Sequence, residues 1–158
     1  MKKLLLGLSI TAFMFTMSCK KDNSNPGSSS STYGTFSFKG TSYTVNSCTA
    51  ASQYLTATSG NVNTGPNLEV SFYGTSLPTS GGTYTVVHGG FPNSATQVGL
   101  TLNPTLTTVY APTGGNGSNQ TVTVTVTGGK VSVSGNNIEL VGMTQSDSSA
   151  LNFNITQQ

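Results

Sequence analysis

The sequence predicts an all-β fold, a single antiparallel β-sandwich, with a small β-barrel as the alternative. Apolar and polar residues alternate with a period of two, most clearly over 120–127 (QTVTVTVT), where three valines share one face. Clusters of Gly, Asn, Ser and Pro separate the alternating segments. Beyond the N-terminal segment, no window carries apolar residues at i, i+3, i+4 and i+7, so no long helix is expected.

Two hairpins are predicted from short turns between alternating segments. Gly128-Gly129 separates 121–127 from 130–133, and Lys39-Gly40 separates 35–38 from 41–46. Both turns suit two-residue hairpin loops, because glycine readily adopts positive φ. In the second hairpin the inward positions are Phe36, Phe38, Tyr43 and Val45.

The remaining strands follow from the same alternation. We expect 68–73 to bury Leu68, Val70 and Phe72, and a closing strand to bury Leu151, Phe153 and Ile155. Further strands are predicted at 53–58, 83–88, 97–102, 107–110 and 138–143, with a turn at Gly135-Asn136-Asn137. About ten strands of this kind form one sandwich or barrel around one core.

The composition excludes nucleic acid as a partner. Charged residues make up 6% of the chain, against about 25% in ordinary globular proteins. Two of the six basic residues, Lys2 and Lys3, lie at the extreme N-terminus, and the rest of the chain holds four basic and four acidic side chains. A nucleic-acid surface needs a basic patch to neutralise phosphates, and the sequence has none.

The N-terminus predicts export. A basic start is followed by an apolar, uncharged run over 4–17, which is shorter than a helix that spans the bilayer. The run ends at Thr16-Met17-Ser18-Cys19, which resembles the lipobox of bacterial lipoproteins, with Ser18 as the small residue before the cysteine. Thr16 departs from the leucine that the family prefers. The resemblance implies cleavage before Cys19 and acylation of this cysteine.

The sequence therefore divides into a signal helix at 1–18, a lipidated cysteine and flexible linker at 19–32, and a β domain at 33–158. The linker lacks aliphatic residues, so it cannot bury itself, and it has a reach of about 20 Å. Lys20 is not the aspartate that retains lipoproteins at the inner membrane, which implies an outer-membrane location. The Cys-Lys-Lys-Asp-Asn start and the Thr/Val/Gly strands resemble small Bacteroidota lipoproteins, some of which reach the cell surface; this resemblance implies no particular activity.

No catalytic or metal-binding motif is apparent. With Cys19 acylated, Cys48 has no disulfide partner and is interpreted as a small buried residue. His88, the single histidine, follows a strand and is expected to line a rim or cap the core with one hydrogen bond. Glu69 and Glu139 alternate with apolar neighbours and are expected to face solvent. We therefore predict no catalytic residue, no metal site and no cofactor.

Two functional classes remain open. The first is a non-catalytic binding or structural module, anchored to the membrane by its lipid, with a glycan or protein partner. Its candidate binding residues are Tyr73, Tyr110 and His88, because exposed aromatic rings stack on sugars or anchor protein contacts. The alternative is a hydrolase that acts on polysaccharide or peptide through a site that no motif identifies.

Overall fold

The computed structural model describes residues 31–61, 63–88, 91–112, 119–144 and 146–158, and these form an all-β domain without an α-helix. Those ranges hold no helix with the length and apolarity of a membrane span. The predicted signal peptide, Cys19 and most of the predicted linker lie outside the described residues. The strands are β1 Gly34–Phe38, β2 Thr41–Thr44, β3 Ser47–Ala51, β4 Tyr54–Thr58, β5 Asn67–Phe72, β6 Gly82–Val87, β7 Gln97–Thr105, β8 Thr108–Pro112, β9 Thr121–Thr127, β10 Lys130–Gly142 and β11 Ser148–Thr156.

All eleven strands belong to one hydrogen-bonded sheet. Its order is β2-β1-β11-β10-β9-β6-β7-β5-β4-β3, and β8 pairs with both β10 and β7. Inward residues of all the strands meet in one apolar core, whose largest fully buried side chains are Phe36, Leu55, Leu68, Leu100, Leu102, Ile138, Leu140, Leu151 and Ile155. This common core forms because the period-two alternation gives each strand one apolar face.

The predicted alternation and both hairpins are confirmed. Val122 and Val124 are 2% exposed, whereas the threonines between and beside them are exposed. Gly128 and Gly129 adopt φ of 59° and 80°, as a two-residue hairpin turn with two positive φ values requires. In the other hairpin Phe36, Phe38 and Val45 are buried, and the half-buried Tyr43 ring stacks on Phe36 at 4.8 Å.

The sheet is antiparallel except between β6 and β7. Thr85 pairs with Gln97 and Val87 with Gly99, so these two strands run in the same direction. The chain leaves β6 at Val87, and β7 begins at Gln97, opposite Thr85 of β6. The connection is therefore not a hairpin, because a hairpin joins antiparallel strands. The prediction of a purely antiparallel sheet is therefore wrong at this pair.

The predicted turn at Gly135-Asn136-Asn137 is also wrong, because β10 continues through it. The pairing with β11 jumps from Gly135 opposite Phe153 to Ile138 opposite Leu151, so β10 holds one extra residue. Asn137 adopts φ of 53°, and its N–H donates to the Asn152 side chain at 2.9 Å. The glycine and asparagines thus form a β-bulge within one long strand.

Candidate functional site

A polar groove lies on the outward face of β3, β4, β5 and β7. The inward residues of these strands are apolar, so their alternating outward residues form rows across the sheet. One row runs through Ser47, Thr58, Asn67 and Asn103, and the next through Thr49, Thr56, Glu69 and Thr101. The groove encloses about 490 Å³ and is lined by Ser47, Thr49, Thr56, Thr58, Asn67, Glu69 and Asn103.

Glu69 is the charged residue of this groove. Its side chain is half-buried rather than fully solvent-facing as predicted, because β5 lies between β4 and β7, whose outward residues Thr56 and Thr101 flank Glu69. Partial burial desolvates its carboxyl and thereby raises the pKa of that carboxyl above its usual value. Among the described residues the lysines are Lys39, which pairs with Asp147, and Lys130 in the β9–β10 hairpin. The groove thus presents a partly desolvated carboxylate without a cationic partner from the described chain.

The hydroxyl and amide groups beside Glu69 are ordered by their own contacts. Thr58 is only 5% exposed, and its hydroxyl donates to the Asn67 Oδ1 atom at 2.7 Å. Because that bond uses the Asn67 carbonyl oxygen, the amide N–H₂ group keeps both hydrogens for another acceptor. The groove therefore offers hydroxyl groups, amide donors and one carboxylate acceptor on a rigid sheet.

Tyr73 is exposed, as its role as a candidate binding residue requires. It follows β5, is 53% exposed and borders a cleft of about 280 Å³ at the end of the sheet. Phe72 and Tyr84 lie below it, with their rings edge to face at a centroid distance of 6.0 Å. Leu77 and Pro78 complete the apolar part of this cleft. The cleft is separate from the Glu69 groove and shares no lining residue with it.

The expectation that Tyr110 is an exposed aromatic is wrong. Tyr110 is 4% exposed because its ring packs edge to face on Phe38, with centroids 4.8 Å apart. The Lys39 ammonium lies 4.6 Å from the Tyr110 ring centroid, donates to its hydroxyl oxygen at 2.6 Å and forms an ion pair with Asp147. Tyr110 also donates to Asp147 at 3.3 Å. These contacts tie the β1–β2 turn to β8 and to the β10–β11 loop.

We predict that this ion pair makes stability pH-dependent at both extremes. The Lys39 ammonium lowers the pKa of Asp147 below 3.8, and the Asp147 carboxylate raises that of Lys39 above 10.5. The Asp147 contribution is thus complete above about pH 3.8 and is lost as pH falls through the lower folded-state pKa. The Lys39 contribution is complete below about pH 10.5 and is lost as pH rises through its folded-state pKa.

Asp147→Asn should therefore lower the melting temperature at neutral pH and approach the wild-type value in strong acid. Thermal denaturation across the acid range measures this difference. Glu139→Gln is the matched control, because Glu139 is exposed and has no ion-pair partner among the described residues, so this variant should keep the wild-type melting temperature at neutral pH. A constant gap between Asp147→Asn and wild type down to the lowest pH would contradict the prediction.

His88 makes one side-chain hydrogen bond, in agreement with the expectation from the sequence. Its side chain is exposed, and Nδ1 donates to the Pro112 carbonyl oxygen at 2.9 Å, since a carbonyl can only accept. No hydrogen bond or ring contact between described residues joins His88, Tyr73 and Tyr110 to one another. The cleft that Tyr73 borders is lined by neither His88 nor Tyr110.

Cys48 is buried and free, as predicted. Burial raises the pKa of its thiol to about 12, so the thiol is protonated at neutral pH and is a poor nucleophile. In the described part of the chain no three His, Cys, Asp or Glu side chains come together as metal ligands.

Comparison with protein-family models, with curated proteins and with solved structures finds no match to the chain. The chemistry of the Glu69 groove is therefore the basis for a functional assignment. Sequence reasoning missed this groove, although the outward positions of LEVSF, YLTAT and SCTAA carry five of its seven lining residues.

Proposed function

We propose that this chain is a lipid-anchored cell-envelope protein of the outer membrane whose β domain binds a ligand and does not catalyse a reaction. The observation that carries the binding proposal is the Glu69 groove, a half-buried carboxylate among hydroxyl and amide groups. A partly desolvated carboxylate without a cationic partner gains hydrogen bonds when a ligand supplies the donors. The lipid anchor at Cys19 and the location follow from the lipobox resemblance.

The chemistry of the described side chains favours binding over hydrolysis. The Cys48 thiol is buried and protonated, and Nδ1 of His88 is bonded to a backbone carbonyl. Glu69 and Glu139 lie on β5 and β10, which do not pair with each other. A hydrolase needs a nucleophile or water-activating base close to a proton donor. Among the residues that line the groove Glu69 is the one titratable group, so the groove does not pair a base with a separate proton donor.

We also propose that the sheet folds over on itself around the core, as the layers of a β-sandwich do. In the sheet order β11 and β3 stand seven places apart, which would separate them by roughly 34 Å in a flat sheet. Yet the Gln158 N–H, just beyond β11, donates to the Cys48 carbonyl in β3 at 2.9 Å. The contact brings two distant parts of the sheet together, so the sheet curls around the common core and does not lie flat.

The binding proposal is tested by filling the groove. Thr56→Trp places a large ring beside Glu69, whereas Thr123→Trp places the same ring on the exposed face of β9, outside the groove. We expect Thr56→Trp to abolish the binding of neutral tetrasaccharides and short peptides, measured by calorimetry on the full chain in detergent. Thr123→Trp should bind as wild type, and chromatography should recover the ligand unchanged. Undiminished binding by Thr56→Trp, or turnover of the ligand, would contradict the proposal.

A further inference from the structure

We propose that the Glu69 groove and the adjoining Tyr54 form a binding face for a neutral oligosaccharide of two to three sugar residues. This inference rests on the proposed function, because it names the ligand class of the same groove. Tyr54, Thr56 and Thr58 alternate with the buried Leu55 and Ala57, so the three share the outward face of β4. Tyr54 is half-buried and stands one row beyond Glu69.

The dimensions of this face suit a short oligosaccharide. Four strands spaced about 4.8 Å apart span roughly 14 Å across the sheet, and successive outward residues stand about 6.8 Å apart along each strand. Three rows of outward residues cross β4, and they extend about 14 Å along the strands. The β4 members of these rows are Tyr54, Thr56 and Thr58. A sugar ring placed over each row would meet a different set of side chains.

The polar groups match the hydroxyl groups of a sugar. Neighbouring hydroxyls of a sugar ring can donate together to the two oxygens of the Glu69 carboxylate, which accepts hydrogen bonds only. The Asn67 amide can donate to ring or hydroxyl oxygens, and the threonine hydroxyls can donate or accept. A cationic ligand would gain from several carboxylates, and the described groove contains one. The surface therefore favours a neutral, hydroxyl-rich ligand.

Tyr54 supplies the apolar contact that such a ligand also needs. Its Cα pairs with Ser71 on one side and Ala51 on the other, so small neighbours flank the ring. Sugar rings present C–H groups on one face, and these pack against aromatic rings. In this arrangement one sugar stacks on Tyr54 while the next donates to Glu69.

The test is a titration of the full chain followed by heteronuclear NMR, in a detergent without a sugar headgroup. The probes are maltotetraose, cellotetraose, xylotetraose and mannotetraose at millimolar concentration, with trialanine and trilysine as peptide probes. We expect at least one tetrasaccharide to shift the backbone amides of β4 and β5. Glu69→Gln and Tyr54→Ala should each weaken that affinity about tenfold. Tyr54→Phe should restore it, because stacking requires the ring and not the hydroxyl.

Two control variants separate this face from the rest of the surface. Glu139→Gln and Tyr73→Ala change an exposed carboxylate and an exposed tyrosine elsewhere, and both should bind as wild type. If only trialanine or trilysine shifts the β4 and β5 amides, the oligosaccharide inference is overturned while the groove remains a binding site. If no probe shifts them, both the inference and the proposed binding function are overturned. Equal loss of affinity in Tyr73→Ala and Tyr54→Ala would likewise overturn the assignment of this face.

Discussion

Replacing Val124 with aspartate should lower the free energy of unfolding by about 3–5 kcal/mol. Val124 is 2% exposed in the middle of β9, opposite the fully buried Val133 of β10. An aspartate there would either bury an unpaired charge or be forced to take up a proton, and both outcomes are costly. The Val133 side chain opposite this position offers no hydrogen-bond donor to the new carboxyl group.

Thr123→Asp is the matched control for this prediction. Thr123 is the preceding residue of the same strand and is exposed on the outward face. The same change there should cost no more than about 1 kcal/mol. Urea denaturation followed by circular dichroism measures both values. Equal losses for the two variants would mean that the face or register of β9 differs from the one described.

Replacing Cys19 with alanine should abolish acylation and leave the precursor uncleaved. Cys19 lies outside the described residues, and its role is predicted from the lipobox resemblance. The physical reason is that only a thiol can carry the thioether-linked lipid, and the lipoprotein peptidase cleaves after that lipid is attached. Incorporation of radiolabelled palmitate, with the apparent mass on a gel, measures both effects.

Cys48→Ala provides the control for the Cys19 experiment. Cys48 is fully buried in β3, so its thiol is inaccessible to an acyl donor in the folded protein. The Cys48→Ala protein should incorporate palmitate as wild type does, at the cost of a small loss of stability. Palmitate entering the Cys19→Ala protein as efficiently as the wild type would contradict the anchoring prediction.

Periodicity predicted most of the fold because large apolar residues mark the inward positions. β9 and β11 are clear examples, with Val124 and Phe153 buried as expected. β3 was not predicted, since its segment SCTAA has only Cys48 facing the core and its small residues hide the alternation. The bulge in β10 was mistaken for a turn because glycine and asparagine suit both structures.

The candidate site was less predictable because it depends on register between strands distant in sequence. Thr49, Thr56 and Glu69 come together only after β3, β4 and β5 pair in the observed register. Tyr110 was misjudged for the same reason, since its burial depends on Phe38 and Lys39, which lie far away in the chain. A sequence pattern identifies which side of a strand is polar, and tertiary pairing decides which polar side chains share a groove.

The most direct test of the central claim is a crystal structure of the protein with the tightest-binding tetrasaccharide. We expect density for the sugar over β4 and β5, with hydroxyl oxygens within hydrogen-bonding distance of the Glu69 carboxylate and one ring against Tyr54. Density confined to the cleft beside Tyr73, with the Glu69 groove empty, would contradict it.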